Sequence, residues 1–142
     1  MKFKSRKDTL FTLIVFGVLS FVIVLIITGI LKDEMAPEER WVMIPVSLVI
    51  GLVLWLYFGT CYELNQNEFI YWYGPFSGKV SIHKIREVVK GKTVYVGFRP
   101  ATARNGLIIK YDTYGELYIS PETNDSFIKR LLELKSDVII SE

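Results

Sequence analysis

The chain has one histidine and one cysteine, the two side chains most often used for nucleophilic and metal chemistry. To act as a general base His83 would need a partner and a pocket, and no serine–aspartate pattern accompanies it. Cys61 would need electropositive surroundings to be a reactive thiolate. One residue of each type also excludes an internal disulfide, a Cys-x-x-Cys pair and a multi-histidine metal site. We therefore expect a non-enzymatic protein without cofactor or metal. His83 is then a surface residue, and Cys61 is a small buried residue or a site of reversible acylation.

Basic residues are concentrated in one stretch of the second half of the chain. Residues 79–104 contain seven Lys and Arg against one Glu, whereas residues 105–142 contain four against seven acids. Beside a membrane, each Lys or Arg near anionic headgroups contributes roughly 1 kcal/mol. The alternative is a solvated charged face. The candidate contacts with anionic lipid are Lys84, Arg86, Lys90, Lys92, Arg99 and Arg104.

Two long uncharged runs fill the first half of the chain. Residues 9–31 and 41–62 are 23 and 22 residues long, and about 20 suffice to cross the hydrocarbon core of a bilayer. The first run is longer than the roughly 7–15 residues of a signal-peptide apolar region, and it has no small-residue cleavage site. We predict an integral, multi-pass membrane protein with transmembrane helices over residues 9–31 and 41–61.

The flanking charges predict the orientation of these helices. Residues 1–8 carry four basic side chains and one acid, whereas residues 32–40 carry four acids and two bases. By the positive-inside rule, residues 1–8 are a cytoplasmic basic N-terminus and residues 32–40 an external loop. Residues 62–142 are then a cytoplasmic domain at the cell membrane. Neither run contains an ionisable residue, which favours an anchor, or a packing surface for another membrane protein, over a transport pathway.

Small residues suggest how the two helices pack. Ser20 and Gly51 are expected at similar depth near the midplane, where small side chains let backbones approach. Ser47 and Gly51 also form a small-xxx-small pair. We predict that these residues lie at the contact within the hairpin. The alternative is a dimer face, which would give a homo-oligomer through the transmembrane helices.

The apolar period changes to that of β-strands from Cys61 onward. Aromatic and aliphatic residues alternate over residues 68–73, and turn residues occupy 65–67 and 74–75. Further strands are predicted around residues 80–82, 86–90, 94–98, 107–111 and 117–119, with residues 112–115 as a hairpin turn. Aromatic residues at alternating positions are typical of a core, so we do not expect nucleic-acid binding.

The last part of the chain is predicted to be helical over residues 121–134. Ser120, Pro121 and Glu122 supply an N-cap, a first-turn proline and a first-turn acid. One apolar stripe follows, which predicts a sheet for the helix to cover. Its members are Phe127, Ile128, Leu131, Leu132 and Leu134. Residues 137–142 could extend this packing or fray.

The order of two spans, several short strands and one closing helix resembles a group of bacterial membrane proteins with a PH-like domain. Residues 57–64 resemble that group's junction between second span and first strand, and residues 70–76 resemble its second strand and Gly-Pro-Phe turn. Residues 107–111, 118–121 and 127–128 resemble its last hairpin and helix entry. The resemblance implies a membrane-anchored α+β protein with a PH-like antiparallel β-barrel or sandwich, closed by a C-terminal helix. Residues 99–106 depart from the group's pattern.

Two functions are compatible with these features. The first is a membrane-anchored adaptor whose PH-like domain binds a protein, a peptide or the membrane surface. The alternative is an immunity protein against a membrane-active bacteriocin-type peptide, a role taken by similar small two-span bacterial proteins. PH domains that bind phosphoinositides use basic residues around their first hairpin loop. Here that loop is Asn65, Gln66 and Asn67, so inositide recognition is not expected.

Overall fold

A computed structural model describes residues 1–31, 41–93 and 99–142 of the chain. Within these ranges an apolar helical hairpin adjoins a domain of two β-sheets and one helix. The helices are α1 (Thr9–Leu31), α2 (Met43–Phe58) and α3 (Asn124–Leu134). The strands are β1 (Lys2–Lys4), β2 (Cys61–Leu64), β3 (Glu68–Tyr73), β4 (Phe76–Ser81), β5 (Ile85–Lys90), β6 (Leu107–Tyr111), β7 (Gly115–Ile119) and β8 (Ile139–Ser141).

Helices α1 and α2 are antiparallel and meet along one seam. Thr12 Oγ1 and the Tyr57 hydroxyl are 2.6 Å apart, and the Tyr57 ring also contacts Phe11 and Phe16. The start of α1 therefore lies beside the end of α2. The less exposed residues recur at intervals of three and four, as in a coiled-coil seam. They include Thr12, Val15, Leu19, Val22 and Ile26 in α1, and Met43, Val46, Ile50, Val53 and Tyr57 in α2.

The predicted contact between small residues in this hairpin is wrong. Ser20, Ser47 and Gly51 are all exposed, and a Cβ added to Gly51 would meet no atom within 4 Å. Leu19 is 8% exposed and occupies the seam instead. The helices therefore pack through branched aliphatic side chains, which keep the two backbones apart.

The hairpin differs from two full spans in one respect. Helix α1 has 23 residues and is long and apolar enough to cross a membrane, whereas α2 is a shorter apolar helix of 16 residues. At 1.5 Å per residue these helices are about 34 Å and about 24 Å long. Helix α2 ends before the predicted residue 61. The Gly59 amide makes the last hydrogen bond of the helix, to the carbonyl oxygen of Trp55, and Cys61 already belongs to β2.

The strands form two four-stranded sheets. The first sheet has the order β1-β2-β3-β4 and is antiparallel throughout. The second has the order β7-β6-β5-β8, with β8 parallel to β5. In the described ranges, one isolated bridge between Ser5 and Pro121 joins them. The expected barrel is therefore not closed. A 3₁₀ turn over Ile82–Lys84 carries the chain from one sheet to the other without pairing β4 to β5.

Helix α3 supplies a large part of the core between the sheets. The Phe127 ring centroid lies 5.3 Å from that of Phe3 and 5.5 Å from that of Phe69. Ile128 and Leu131 are also buried, and Leu132 and Leu134 pack at the edge of the cluster. The predicted apolar stripe is confirmed, although α3 begins at Asn124 instead of residue 121.

Strand predictions based on local alternation are largely confirmed. The hairpins β3–β4 and β6–β7 form with their turns at Gly74 and Pro75 and at residues 112–114, one residue shorter than the predicted 112–115 turn because Gly115 already belongs to β7. The predicted strand over 94–98 lies outside the described residues. Strands β1 and β8 were not predicted. They extend the sheets by pairing with β2 and β5, respectively.

The sheets have two distinct ends relative to the helices. Residues 5–8 connect β1 to α1, and residues 59–60 connect α2 to β2. We call the end with these connections the helix-proximal end. Because Cys61 pairs with Trp72, the β3–β4 turn also lies at this end. The opposite, helix-distal end carries residues 65–67 and the β6–β7 turn.

Candidate functional site at the helix-proximal end

Four hydroxyl groups meet in the interior at the helix-proximal end. They belong to Ser5, Tyr62, Thr102 and Ser120, which are all buried. Ser5 Oγ lies 2.9 Å from Thr102 Oγ1, 3.0 Å from Ser120 Oγ and 3.1 Å from the Tyr62 hydroxyl. Ser5 thus joins the N-terminal segment to both sheets. We call these four residues the hydroxyl cluster.

Tyr62 is the largest member of the hydroxyl cluster. Its hydroxyl donates to the carbonyl oxygen of Pro100 at 2.5 Å and accepts the Ser120 amide at 3.1 Å. Burial raises the pKa of Tyr62, so the hydroxyl keeps its proton and can donate at neutral pH. The Tyr62 hydroxyl is therefore hydrogen-bonded as both donor and acceptor within a buried network.

Backbone hydrogen bonds also hold the N-terminal segment in place. The Arg6 amide donates to the Ser120 carbonyl at 2.7 Å, and the Glu122 amide donates to the Lys4 carbonyl at 2.9 Å. Residues 120–122 are consequently extended beside β1. This pairing explains why the capping signal at Ser120 does not start α3: its hydroxyl belongs to the cluster.

Removing one hydroxyl from the cluster tests its contribution to stability. Tyr62→Phe leaves the Ser120 amide without its buried acceptor and the Pro100 carbonyl without its buried donor, which should cost about 1–3 kcal/mol of unfolding free energy. Urea unfolding of the full chain in detergent micelles measures this loss. Tyr114→Phe is the matched control, because Tyr114 is 94% exposed, and it should leave the midpoint unchanged. Equal midpoints for both variants would contradict the role of the cluster.

Charged side chains surround the cluster on the outer surface of this end. Arg6 donates to the carbonyl oxygens of Arg104 and Asn105 at 2.6 and 3.0 Å. Arg104 in turn donates to Asp8 at 2.6 Å. Beside them lies an open cavity of about 360 Å³ between residues 6–9 and 103–105. Arg6 and Arg104 thus tie the segment before α1 to the segment before β6.

Lys7 lies at the boundary between domain and hairpin. Its ammonium nitrogen is 4.1 Å from the Phe58 ring centroid and 4.7 Å from that of Tyr57. Such cation–π contacts are worth about 0.5–1 kcal/mol at exposed positions. Asp8 accepts the Leu10 amide at 3.1 Å and so caps the start of α1. The charge pattern predicts only a topological role for Arg6 and Lys7, although their position directly before the apolar run is a signal for contacts at the membrane surface.

The six predicted lipid contacts do not form one patch. Strand β5 runs from the helix-distal to the helix-proximal end, so Lys84 and Lys90 are separated by six residues, or about 20 Å. Lys84 and Arg86 lie toward the distal end. Lys90, Lys92, Arg99 and Arg104 lie toward the proximal end, where Arg6 and Lys7 join them.

Several of these cations are already paired with acids. Lys84 lies 3.2 Å from Asp112, and Lys90 lies 2.6 Å from Asp125. The Asp125 carboxylate raises the pKa of Lys90 through this hydrogen bond. Lys92 is exposed just beyond β5. Of the predicted cations at the helix-proximal end, Lys92 is therefore the side chain best placed to reach an external anion.

Residues 99–106, which depart from the resembled pattern, cover the outer face of the second sheet. The Arg99 guanidinium lies 5.5 Å from the Tyr118 ring centroid. The Tyr118 hydroxyl donates to the Ala103 carbonyl at 2.9 Å and accepts the Gly106 amide at 3.0 Å. A Cβ at Gly106 would overlap the Ile119 carbonyl oxygen, so only glycine fits there.

His83 lies away from the charged residues of the helix-proximal end, and the surroundings of Cys61 do not activate its thiol. His83 is exposed in the 3₁₀ turn, and its carbonyl oxygen accepts the Lys135 ammonium at 3.1 Å. Burial raises the pKa of the Cys61 thiol, which lowers its thiolate fraction. Among the described residues, no group of three or more His, Cys, Asp or Glu side chains could hold a metal ion.

The Asp8–Arg104 pair predicts a pH dependence. Its hydrogen bond with Arg104 holds the pKa of Asp8 below the usual 3.8. A lowered folded-state pKa stabilises the fold above the unfolded-state pKa, and this contribution disappears as pH falls through the folded-state value. Thermal unfolding between about pH 6 and about pH 3 should therefore show the advantage of wild type over Asp8→Asn shrinking with acidification. A constant difference would contradict the pairing.

The two sheets and closing helix define a PH-like domain, and the sequence comparisons agree. The bacterial PH domain family profile matches residues 60–135, just over half of the chain. The chain belongs to this family. It is also 26% identical over 141 residues to the "Uncharacterized protein YyaB" of Bacillus subtilis (strain 168), covering 99% of this chain and 97% of that one. That similarity includes the N-terminal segment and both apolar helices. No solved structure matches the chain.

Proposed function

We propose that the protein is a non-enzymatic, membrane-anchored binding module, in which the α1–α2 hairpin spans the cell membrane and holds the PH-like domain against its cytoplasmic leaflet. The observation that carries this proposal is the apolar surface of the hairpin. Outside the seam, most of the large apolar side chains of α1 and α2 are exposed. A monomeric soluble protein rarely exposes a contiguous apolar patch larger than about 300–600 Å².

The lengths of the helices are compatible with a bilayer. Helix α1, at about 34 Å, exceeds a hydrocarbon core of about 30 Å, whereas α2 falls short by several ångström. Trp41 and Trp55 lie near the two ends of α2 and are exposed. Tryptophan is favoured at membrane interfaces, and local thinning or flanking polar groups accommodate a short span.

The connections between helices and sheets support an arrangement in which the N-terminus and the PH-like domain lie on the same side of the membrane. Residues 2–4 pair with β2, and the first residues of α1 contact the last turn of α2. If the hairpin spans the membrane, residues 1–8 and the PH-like domain must lie on one side. The basic residues 1–8 and the acidic residues 32–40 favour the cytoplasmic side for that end.

In this arrangement the helix-proximal end faces the leaflet. Arg6, Lys7 and Lys92 lie within reach of headgroups, whereas Lys84 is about 20 Å farther along β5. This distance exceeds the Debye length of about 8 Å at physiological ionic strength. The helix-distal end faces away from the leaflet, where it can bind a protein or peptide partner. The proposed adaptor role rests on this exposure.

A topology experiment tests the proposed orientation. Cysteine replaces Met35 or Tyr114 in a Cys61→Ser background, and intact cells are treated with a membrane-impermeant thiol reagent. We expect labelling at position 35 and none at position 114 until the cells are opened. Labelling at position 114 but not 35 in intact cells would reverse the orientation. Release of the unmodified chain by alkaline carbonate would contradict anchoring itself.

A pair of charge reversals tests which end contacts lipid. Lys92→Glu and Arg86→Glu change the charge equally, but at opposite ends of β5. The full chain is placed in nanodiscs with or without phosphatidylglycerol, and the melting temperature of the domain is measured. Anionic lipid should raise the melting temperature of wild type and of Arg86→Glu, and raise it less for Lys92→Glu. Equal loss in both variants would indicate a general charge effect instead of a contact.

A further inference from the structure

The β3–β4 turn rests directly against the end of helix α2. Gly74 adopts a φ of +57° at the first position of a two-residue turn, a conformation that glycine adopts easily. A Cβ added there would lie 2.9 Å from Leu56 Cδ2 and 3.2 Å from the Leu56 Cα. The backbone of the turn is therefore packed against the last turn of α2, with no space for a side chain between them.

The contact with Leu56 determines the depth of the turn relative to the charged residues. The Tyr57 hydroxyl is hydrogen-bonded to Thr12. Thr12 lies four residues beyond Asp8, which is about 6 Å along the axis of α1. Lys7 lies over the ring of Phe58, closer to the end of α2. Leu56 thus lies farther into the hairpin than Lys7 and Asp8, and the β3–β4 turn reaches that level beside it.

The composition of the turn suits this depth. No charged residue occurs from Phe69 to Ser77. Phe76 is 56% exposed, and the preceding Pro75 is also exposed. Trp72 and Tyr73 are half-buried at the end of β3, and Trp55 is exposed in the last turn of α2. Aromatic side chains of this kind concentrate where the hydrocarbon core meets the headgroups.

We infer that the β3–β4 turn is a second membrane contact, in which Pro75 and Phe76 insert into the interfacial layer of the leaflet from which α2 emerges. This inference rests on the proposed anchoring by the hairpin. The apolar surface of the turn is continuous with that of α2 through Leu56, so the same lipid covers both. The domain is then held at two points, and this fixes its orientation on the leaflet. The first point is the pair of connections at residues 5–8 and 59–60, and the second is the β3–β4 turn.

Site-specific fluorescence tests the insertion. Phe76→Cys and Tyr114→Cys are made in the Cys61→Ser background and labelled with the same polarity-sensitive fluorophore. Tyr114 is the matched control because it is an exposed aromatic residue in a β-turn at the opposite end. The full chain is reconstituted into vesicles of phosphatidylcholine and phosphatidylglycerol. Nitroxide-labelled lipid and aqueous iodide then quench the fluorophore from the two phases.

Insertion predicts blue-shifted emission at position 76, quenching by the lipid nitroxide and protection from iodide, with the opposite behaviour at position 114. Equal iodide quenching and equal emission at the two positions, in a chain that resists carbonate extraction, would overturn the insertion while leaving the anchor intact. Extraction of the chain by carbonate would overturn the anchor, and the insertion with it.

A variant of Phe76→Cys with Gly74→Ala should shift the emission to longer wavelength, because the added Cβ displaces the turn from Leu56. An unchanged spectrum would contradict the contact.

Discussion

The buried hydroxyl cluster is the constraint on which the arrangement of this protein depends. Ser5, Tyr62, Thr102 and Ser120 come from four separate parts of the chain, and each hydroxyl is hydrogen-bonded to at least two other groups. A buried polar network that is fully satisfied specifies one arrangement, whereas a missing partner leaves a group that water cannot reach. The cluster therefore fixes the N-terminal segment between the two sheets, immediately before the apolar helix begins.

The short connections transmit this constraint to the helical hairpin. Four residues separate β1 from α1, and two separate α2 from β2. Arg6, Asp8 and Arg104 bond the first connection to the segment before β6, and Lys7 covers the aromatic end of α2. The charged residues that the positive-inside rule counts as the flank of the first apolar run are thus part of the domain. The contacts that hold the two sheets together also set the direction in which these charged side chains point.

Sequence patterns predicted the parts of this fold that depend on local order. Alternation gave the β3–β4 and β6–β7 hairpins, and the 3.6-residue period gave the buried face of α3. Strands β1 and β8 have three residues each, and they pair with partners some fifty to sixty positions away in sequence. No local period indicates such pairing. The helix start at Ser120 failed for a related reason, since a tertiary contact took the hydroxyl that a capping signal requires. Lys84 and Lys90 are close in sequence, but an extended strand separates them.

The direction of the strands also decides which surface of the domain can meet lipid. In PH domains that bind phosphoinositides, the basic residues used for binding lie around the first hairpin loop. Here residues 65–67 occupy the helix-distal end, because β2 runs away from the hairpin and β3 returns toward it. In the proposed arrangement that loop points into the cytoplasm, and the next turn, at Gly74 and Pro75, faces the leaflet. A ligand of the 65–67 loop would therefore come from solution, and the lipid-facing role passes to an uncharged aromatic turn.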